Sequence, residues 1–222
     1  MNPAATRTSR GLPFDTTMSR AIFLVPLSMA LWWFVLKQSS LWLLRFLAYV
    51  PLGMMISPSG LVPVKVNSST GEWVFNVAVK TTAKDLRTER RQAVDSLEFA
   101  VDEDSVAVFA GGWFAYLGLA MSAVALSKGQ TRRVLKGVGI QTGINILCLT
   151  AYAFVLAYGS AVNTPNGSGP TVWMLKYAYY LTDLVLPFAS PFIVALLVHP
   201  EWQAYFTAPD RGVPSSRQTA KK

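Results

Sequence analysis

The chain has 222 residues, 52% of them apolar and only 14% charged, whereas soluble globular domains carry roughly a quarter charged residues. A formal net charge of +8 does not point to nucleic acid, because the Lys and Arg residues gather in the N-terminal arm, one short connection and the C-terminal tail, with no RNA- or DNA-binding motif around them. The single cysteine, Cys148, excludes an intramolecular disulfide and a multi-cysteine metal site, and no cofactor is expected.

Residues 1–20 carry Arg7, Arg10 and Arg20 against one acid, Asp15, without apolar periodicity, and are expected to form a disordered cytoplasmic arm. Residues 21–36 have the length of a signal-peptide core. They are followed by Lys37-Gln38-Ser39-Ser40 and more apolar sequence, not by a small-residue cleavage site, so an uncleaved anchor is expected. The next block, 41–56, contains Arg45, Pro51 and Gly53 and is short for an independent span of roughly 20 residues.

Loop charges decide how that block is read, because orientation follows Lys and Arg in short cytoplasmic segments. The connection 127–133 has Lys128, Arg132 and Arg133 with no acid; the tail has Arg211, Arg217, Lys221 and Lys222; the connection 160–171 has no charge. If 41–56 does not cross separately, arm, basic connection and tail share one side. Crossing would put two of the three on the wrong side. The block is therefore expected to continue a tilted first span or to lie at the interface, with Arg45 snorkelling.

Residues 62–66 and 73–79 alternate with a period of two around Ser68-Ser69-Thr70-Gly71, the pattern of a β-hairpin. Residues 82–92 read as helix or loop, and 97–101 as a third short strand. Six basic and eight acidic residues over 57–105 suit a translocated segment. Its core is small for independent stability. Three further apolar blocks follow, at 106–126, 134–158 and 172–198.

The expected fold is thus a mainly α membrane protein with four transmembrane helices and a small β-rich extracytoplasmic insertion between the first and second spans. Its segments are a basic arm (1–20), a first span with apolar extension (21–56), the insertion (57–105), a three-helix membrane region (106–198) and a basic tail (199–222).

Intramembrane polar residues are the candidates for function. Lys176 and Asp183 are seven apart, two turns along nearly one helical face, among Tyr177, Tyr179 and Tyr180 and ahead of Pro187 and Pro191. They either contact a partner or substrate, or serve as a snorkelling lysine and a helix-bonding aspartate. Gln141 and Asn145 form an i, i+4 polar pair, and Gly139 and Gly143 a G-x-x-x-G, both expected to pack the third span against the fourth. Cys148 lacks a base, since the only histidine, His199, falls at the opposite end of another span. No catalytic residue or metal ligand set is assigned. The run Asp102-Glu103-Asp104 reads as a solvated charge cluster before membrane entry. No P-loop, nucleophile elbow, zinc-protease or dinucleotide fingerprint occurs.

The order of parts resembles the exosortase H-associated membrane proteins of Gram-negative bacteria. The likeness rests on the first anchor with its Pro-containing extension and the β insertion. It also rests on Gly112-Trp113-Phe114-Ala115-Tyr116-Leu117-Gly118-Leu119 and on residues 180–191, Tyr180-Leu181-Thr182-Asp183 through Pro187-Phe188-Ala189-Ser190-Pro191. The resemblance implies a bacterial inner membrane, a periplasmic insertion and an exosortase partner, itself a polytopic cysteine transpeptidase whose Cys, Arg and His constellation this chain lacks. The expected function is a non-enzymatic accessory or scaffold that contacts the lipid bilayer and a membrane protein, with both termini cytoplasmic. A small-solute transporter or channel subunit using Asp183 and Lys176, and a membrane enzyme, are the rival readings.

Overall fold

The computed structural model describes residues 13–55, 62–84, 91–123, 130–161 and 170–207. Four helices are long and apolar enough to cross a membrane: Thr17–Met54, Glu103–Ala123, Gln130–Ala157 and Trp173–Val198. Large apolar side chains, among them Phe23, Phe34, Phe188 and Leu197, point outward from the first and last of these, the reverse of what water would select.

The first long helix is continuous: α1 (Pro13–Leu31), a π-helical turn (Trp32–Leu36) and α2 (Lys37–Met55). The polar stretch 37–40 does not interrupt it, because its polar groups are used within the fold. Lys37 pairs with Glu103 and Asp104, and the Ser40 hydroxyl donates to the Lys37 carbonyl at 2.7 Å while accepting the Trp32 indole N–H at 2.9 Å. The helix starts at Pro13, a residue suited to a first helical position, so the expected irregular arm is corrected for residues 13–20; residues 1–12 lie outside the described residues. At 38 residues, Thr17–Met54 is roughly 57 Å long, nearly twice a hydrocarbon core of about 30 Å.

Helix α3 (Glu103–Ala123) is the most enclosed. It also carries small residues at its contacts. Ser28 of α1 donates to the Phe114 carbonyl at 2.8 Å, and a Cβ on Gly118 would sit 2.8 Å from the Val25 Cα. Gly111 likewise admits the Trp32 ring. Against α3 lie α4 (Gln130–Ala161) and the last apolar helix, which runs α5 (Pro170–Tyr180), a second π-helical turn (Leu181–Val185) and α6 (Leu186–Val198). His199 has an extended backbone, and α7 (Pro200–Thr207) folds back beyond it, a helix that the basic-tail expectation omitted.

Between α2 and α3 stands a three-stranded antiparallel sheet of β1 (Val64–Val66), β2 (Trp73–Lys84) and β3 (Arg91–Val101), in the order β1-β2-β3. The expected hairpin is present, closed by Gly71 at φ 73°, where any side chain would be strained. The helix-or-loop reading of 82–92 is corrected at both ends: Thr82–Lys84 and Arg91–Gln92 are paired strand, and 85–90 lie outside the described residues. Trp73, Phe75 and Val77 alternate onto one buried face, whose other wall is Leu44, Ala48 and Leu52 of α2 with Val106 of α3 and Tyr152 and Ala157 of α4. The sheet's apolar face is therefore covered by helices, as the small size of its own core requires.

Candidate functional site

Helices α3, α4 and α6 meet along a seam that carries most of the buried polar side chains. At its middle the Gln141 side-chain nitrogen donates to Asn145 Oδ1 and to Ser190 Oγ, each at 2.8 Å, and all three residues are buried. Gln141 thus bonds the third helix to the fourth through Ser190, whereas Asn145 is bonded to Gln141 on its own helix. Gly112 makes room for the Gln141 amide, since a Cβ there would lie 2.8 Å from its nitrogen. Gln141 Oε1 and Asn145 Nδ2 have no hydrogen-bond partner among the described residues, and each such buried atom costs roughly 1–3 kcal/mol. One level away, the Trp113 indole donates to the Thr142 hydroxyl at 2.9 Å.

The Gly139 and Gly143 expectation is corrected. Both are exposed, and a Cβ on either would meet nothing within 4 Å. Gln141 and Asn145 turn their own face of α4 inward, which carries the two glycines outward. Close helix approach occurs instead at Gly111, Gly112 and Gly118 of α3, and at Gly137, where a Cβ would overlap the Tyr116 ring.

At the end of the seam nearer α5, Asp183 sits in the second π turn, half-buried. The Tyr179 hydroxyl bonds to its carboxylate and to the Tyr152 hydroxyl, with the Tyr152 and Tyr179 rings 5.6 Å apart. Such turns insert one residue, rotate the helix and recur at functional positions. Lys176 is exposed with its ammonium 5.9 Å from the Trp173 ring centroid, and no ion pair joins it to Asp183 among the described residues. At seven residues' spacing the two lie roughly 10 Å apart along the helix, beyond direct pairing, and Asp183 falls within the π turn.

At the opposite end, His199 is buried with its Nε2 3.0 Å from the Tyr116 hydroxyl. Burial holds its pKa below the ordinary imidazole value; Glu201 opposes that shift and Arg133 adds to it. The Trp202 indole donates to the Leu119 carbonyl at 3.2 Å, and Arg133 lies 3.8 Å from Glu201. His199 thus belongs to Tyr116, and Cys148 lies buried in the core cluster that faces the sheet. Glu103 and Asp104 are not merely solvated, since both engage Lys37. Sequence reasoning missed Tyr116, Ser190 and Gly112; the adjacent Gly111-Gly112 pair inside an apolar block was the available signal.

Comparison with protein-family models, with curated proteins and with solved structures finds no match for this chain. Its function has to be argued from its own residues.

Proposed function

We propose that this chain is a four-span membrane protein acting as a non-enzymatic accessory or scaffold. Both termini lie in the cytoplasm of a bacterial cell, and the sheet lies on the far side of the inner membrane. Its partner is a polytopic sorting transpeptidase of the exosortase kind.

The observation that carries the reading is where the polar chemistry goes. Gln141, Ser190, Thr142, Trp113 and Ser28 bond from one helix to another, and Tyr116 bonds to His199 at the end of α6, which is how polar groups act as glue between helices in a lipid environment. The sheet has one face set on α2, α3 and α4, so it is held at a fixed place on the bundle. The exosortase partner rests on the resemblance alone, carried by residues 112–119 and 180–191. Crosslinking in native membranes, followed by identification of neighbours, tests it. Repeated capture of a transpeptidase with Cys, Arg and His in or near its spans supports the proposal, and capture of copies of this chain only opposes it.

One observation favours a second reading, a subunit that carries a proton or cation: Asp183 at a π turn, bonded to Tyr179 and through it to Tyr152. Lys176 has no part in it. Transport that fails in Asp183→Asn and survives in Lys176→Gln supports this alternative.

A further inference from the structure

An apolar cavity of about 350 Å³ opens between α1 and α6, lined by Ala21 and Pro26 of α1, Ala195 and Leu196 of α6, Leu119 of α3 as its floor, and Trp202 of α7 across one end. It exists because α1 and α6 both pack on α3 without closing on each other, and because Ala21 and Ala195 are small where larger residues would fill the gap. An apolar cavity of about 150 Å³ already accepts benzene, so this one is too large to count as a packing defect. It is a groove open along one side between α1 and α6, and its apolar walls admit a flexible hydrocarbon chain.

Several described side chains beside it are basic. Arg20 adjoins Ala21, and Arg132 and Arg133 open α4; Arg133 pairs with Glu201, the neighbour of Trp202, which brings the start of α4 to this end of the cavity. Arg20, Arg132 and Arg133 are all exposed. Guanidinium groups at that position match a phosphate-bearing headgroup while the groove holds a tail.

We infer that this groove binds one acyl chain of an anionic phospholipid, with the headgroup held at Arg20 and the start of α4. The inference rests on the membrane placement proposed above. Trp202 then has two roles: it bonds α7 to α3 through Leu119 and it forms one end of the lipid site. Occupancy of the groove and docking of α7 are therefore coupled.

The test uses the full chain, extracted in mild detergent from membranes first washed with alkaline carbonate. It is then delipidated and incubated with phosphatidylglycerol or with phosphatidylcholine of identical chains, and bound lipid is counted by native mass spectrometry. The expected result is one tightly held phosphatidylglycerol per chain. Ala195→Phe should weaken its retention about tenfold, the effect of losing roughly two buried methylene groups. Leu196→Trp, on the half-buried wall, should do the same if Ala195→Phe disturbs folding, and Arg20→Gln should reduce the preference over phosphatidylcholine.

Equal retention by wild type and both filling variants, or no preference between the lipids, overturns the inference. So does a concentration-dependent dimer that Ala195→Phe abolishes, since a second copy would then occupy the groove. A chain removed by the carbonate wash refutes the membrane placement itself, whereas one that stays and shows no lipid preference refutes only the groove.

Discussion

Gln141 of α4 reaches Ser190 of α6 at 2.8 Å directly beside Gly112 of α3, where an added Cβ would come 2.8 Å from the same Gln141 nitrogen. Three helices are therefore tied at one point, and the smallest side chain in the group decides whether the tie can form. Gly112→Ala should push the amide off Ser190 and cost roughly 1–3 kcal/mol. Gly118→Ala should cost more, because it meets the Val25 backbone of α1, which cannot rotate aside. Gly139→Ala and Gly143→Ala, at exposed helical positions, should be neutral or stabilising by up to roughly 1 kcal/mol. Thermal or denaturant unfolding in detergent ranks the four, and destabilisation by Gly139→Ala comparable to that by Gly112→Ala would show that the exposed face of α4 is covered in the membrane.

The single histidine gives the fold a pH dependence whose sign follows from the burial of its ring. Its imidazole is buried against Tyr116 with its pKa lowered, so the unfolded chain binds a proton at a higher pH than the folded one does. Stability is full above the unfolded value of about 6.5 and falls as pH drops from there towards the lowered folded value, by at most about 1.4 kcal/mol per pH unit. Unfolding midpoints measured between pH 7.5 and pH 5 should decline in wild type and decline less in His199→Gln, on scales set by those same constants. A midpoint that rises on acidification would mean that Glu201 outweighs burial at this site.

Much of this arrangement is legible in the sequence. Apolar block lengths and the loop charges account for four long helices, with residues 41–56 as a continuation of the first, and period-two alternation located the sheet. The cross-helix bond of Gln141 follows from what an amide on a helical face needs in an apolar setting, and Asn145 supports it from the same helix. What failed did so for local reasons. The seven-residue spacing of Lys176 and Asp183 does not reveal the π turn at Leu181–Val185 in which Asp183 sits. The G-x-x-x-G at Gly139 and Gly143 is a spacing without an orientation, and the polar residues between them set the orientation. Nothing in the linear pattern pairs Tyr116 with His199, 83 positions apart, because that contact depends on how α7 folds back.

Asp183 bonded to Tyr179 separates hydrogen bonding from charge. Under the scaffold reading, Asp183→Asn retains the Tyr179 contact and most partner crosslinking, and Asp183→Leu loses both, leaving the Tyr179 hydroxyl with Tyr152 alone. Tyr179→Phe should resemble Asp183→Leu. Equal loss in Asn and Leu variants, at equal protein abundance, would assign the charge itself a role and favour the carrier reading.

Cys148 is buried in the core cluster against the sheet. It should resist maleimide labelling in the folded protein and react fully after denaturation. Cys148→Ala should leave partner crosslinking within roughly twofold of wild type, since an alanine keeps the helix and removes only a sulfur. Loss of function in a folded Cys148→Ala protein would restore the enzyme reading.

The central claim is that three membrane crossings separate the sheet from α7, and inaccessible Cys148 makes an otherwise cysteine-free background available. Cysteines placed at Ser69, in the hairpin turn, and at Gln203, on α7, can be probed with a membrane-impermeant maleimide on cells whose outer barrier alone has been opened. The account predicts labelling of Ser69→Cys in intact inner membranes and of Gln203→Cys only after those membranes are disrupted. Labelling of both positions from the same side would mean an even number of crossings between them and would contradict the four-span arrangement; labelling of Gln203→Cys alone would reverse its orientation.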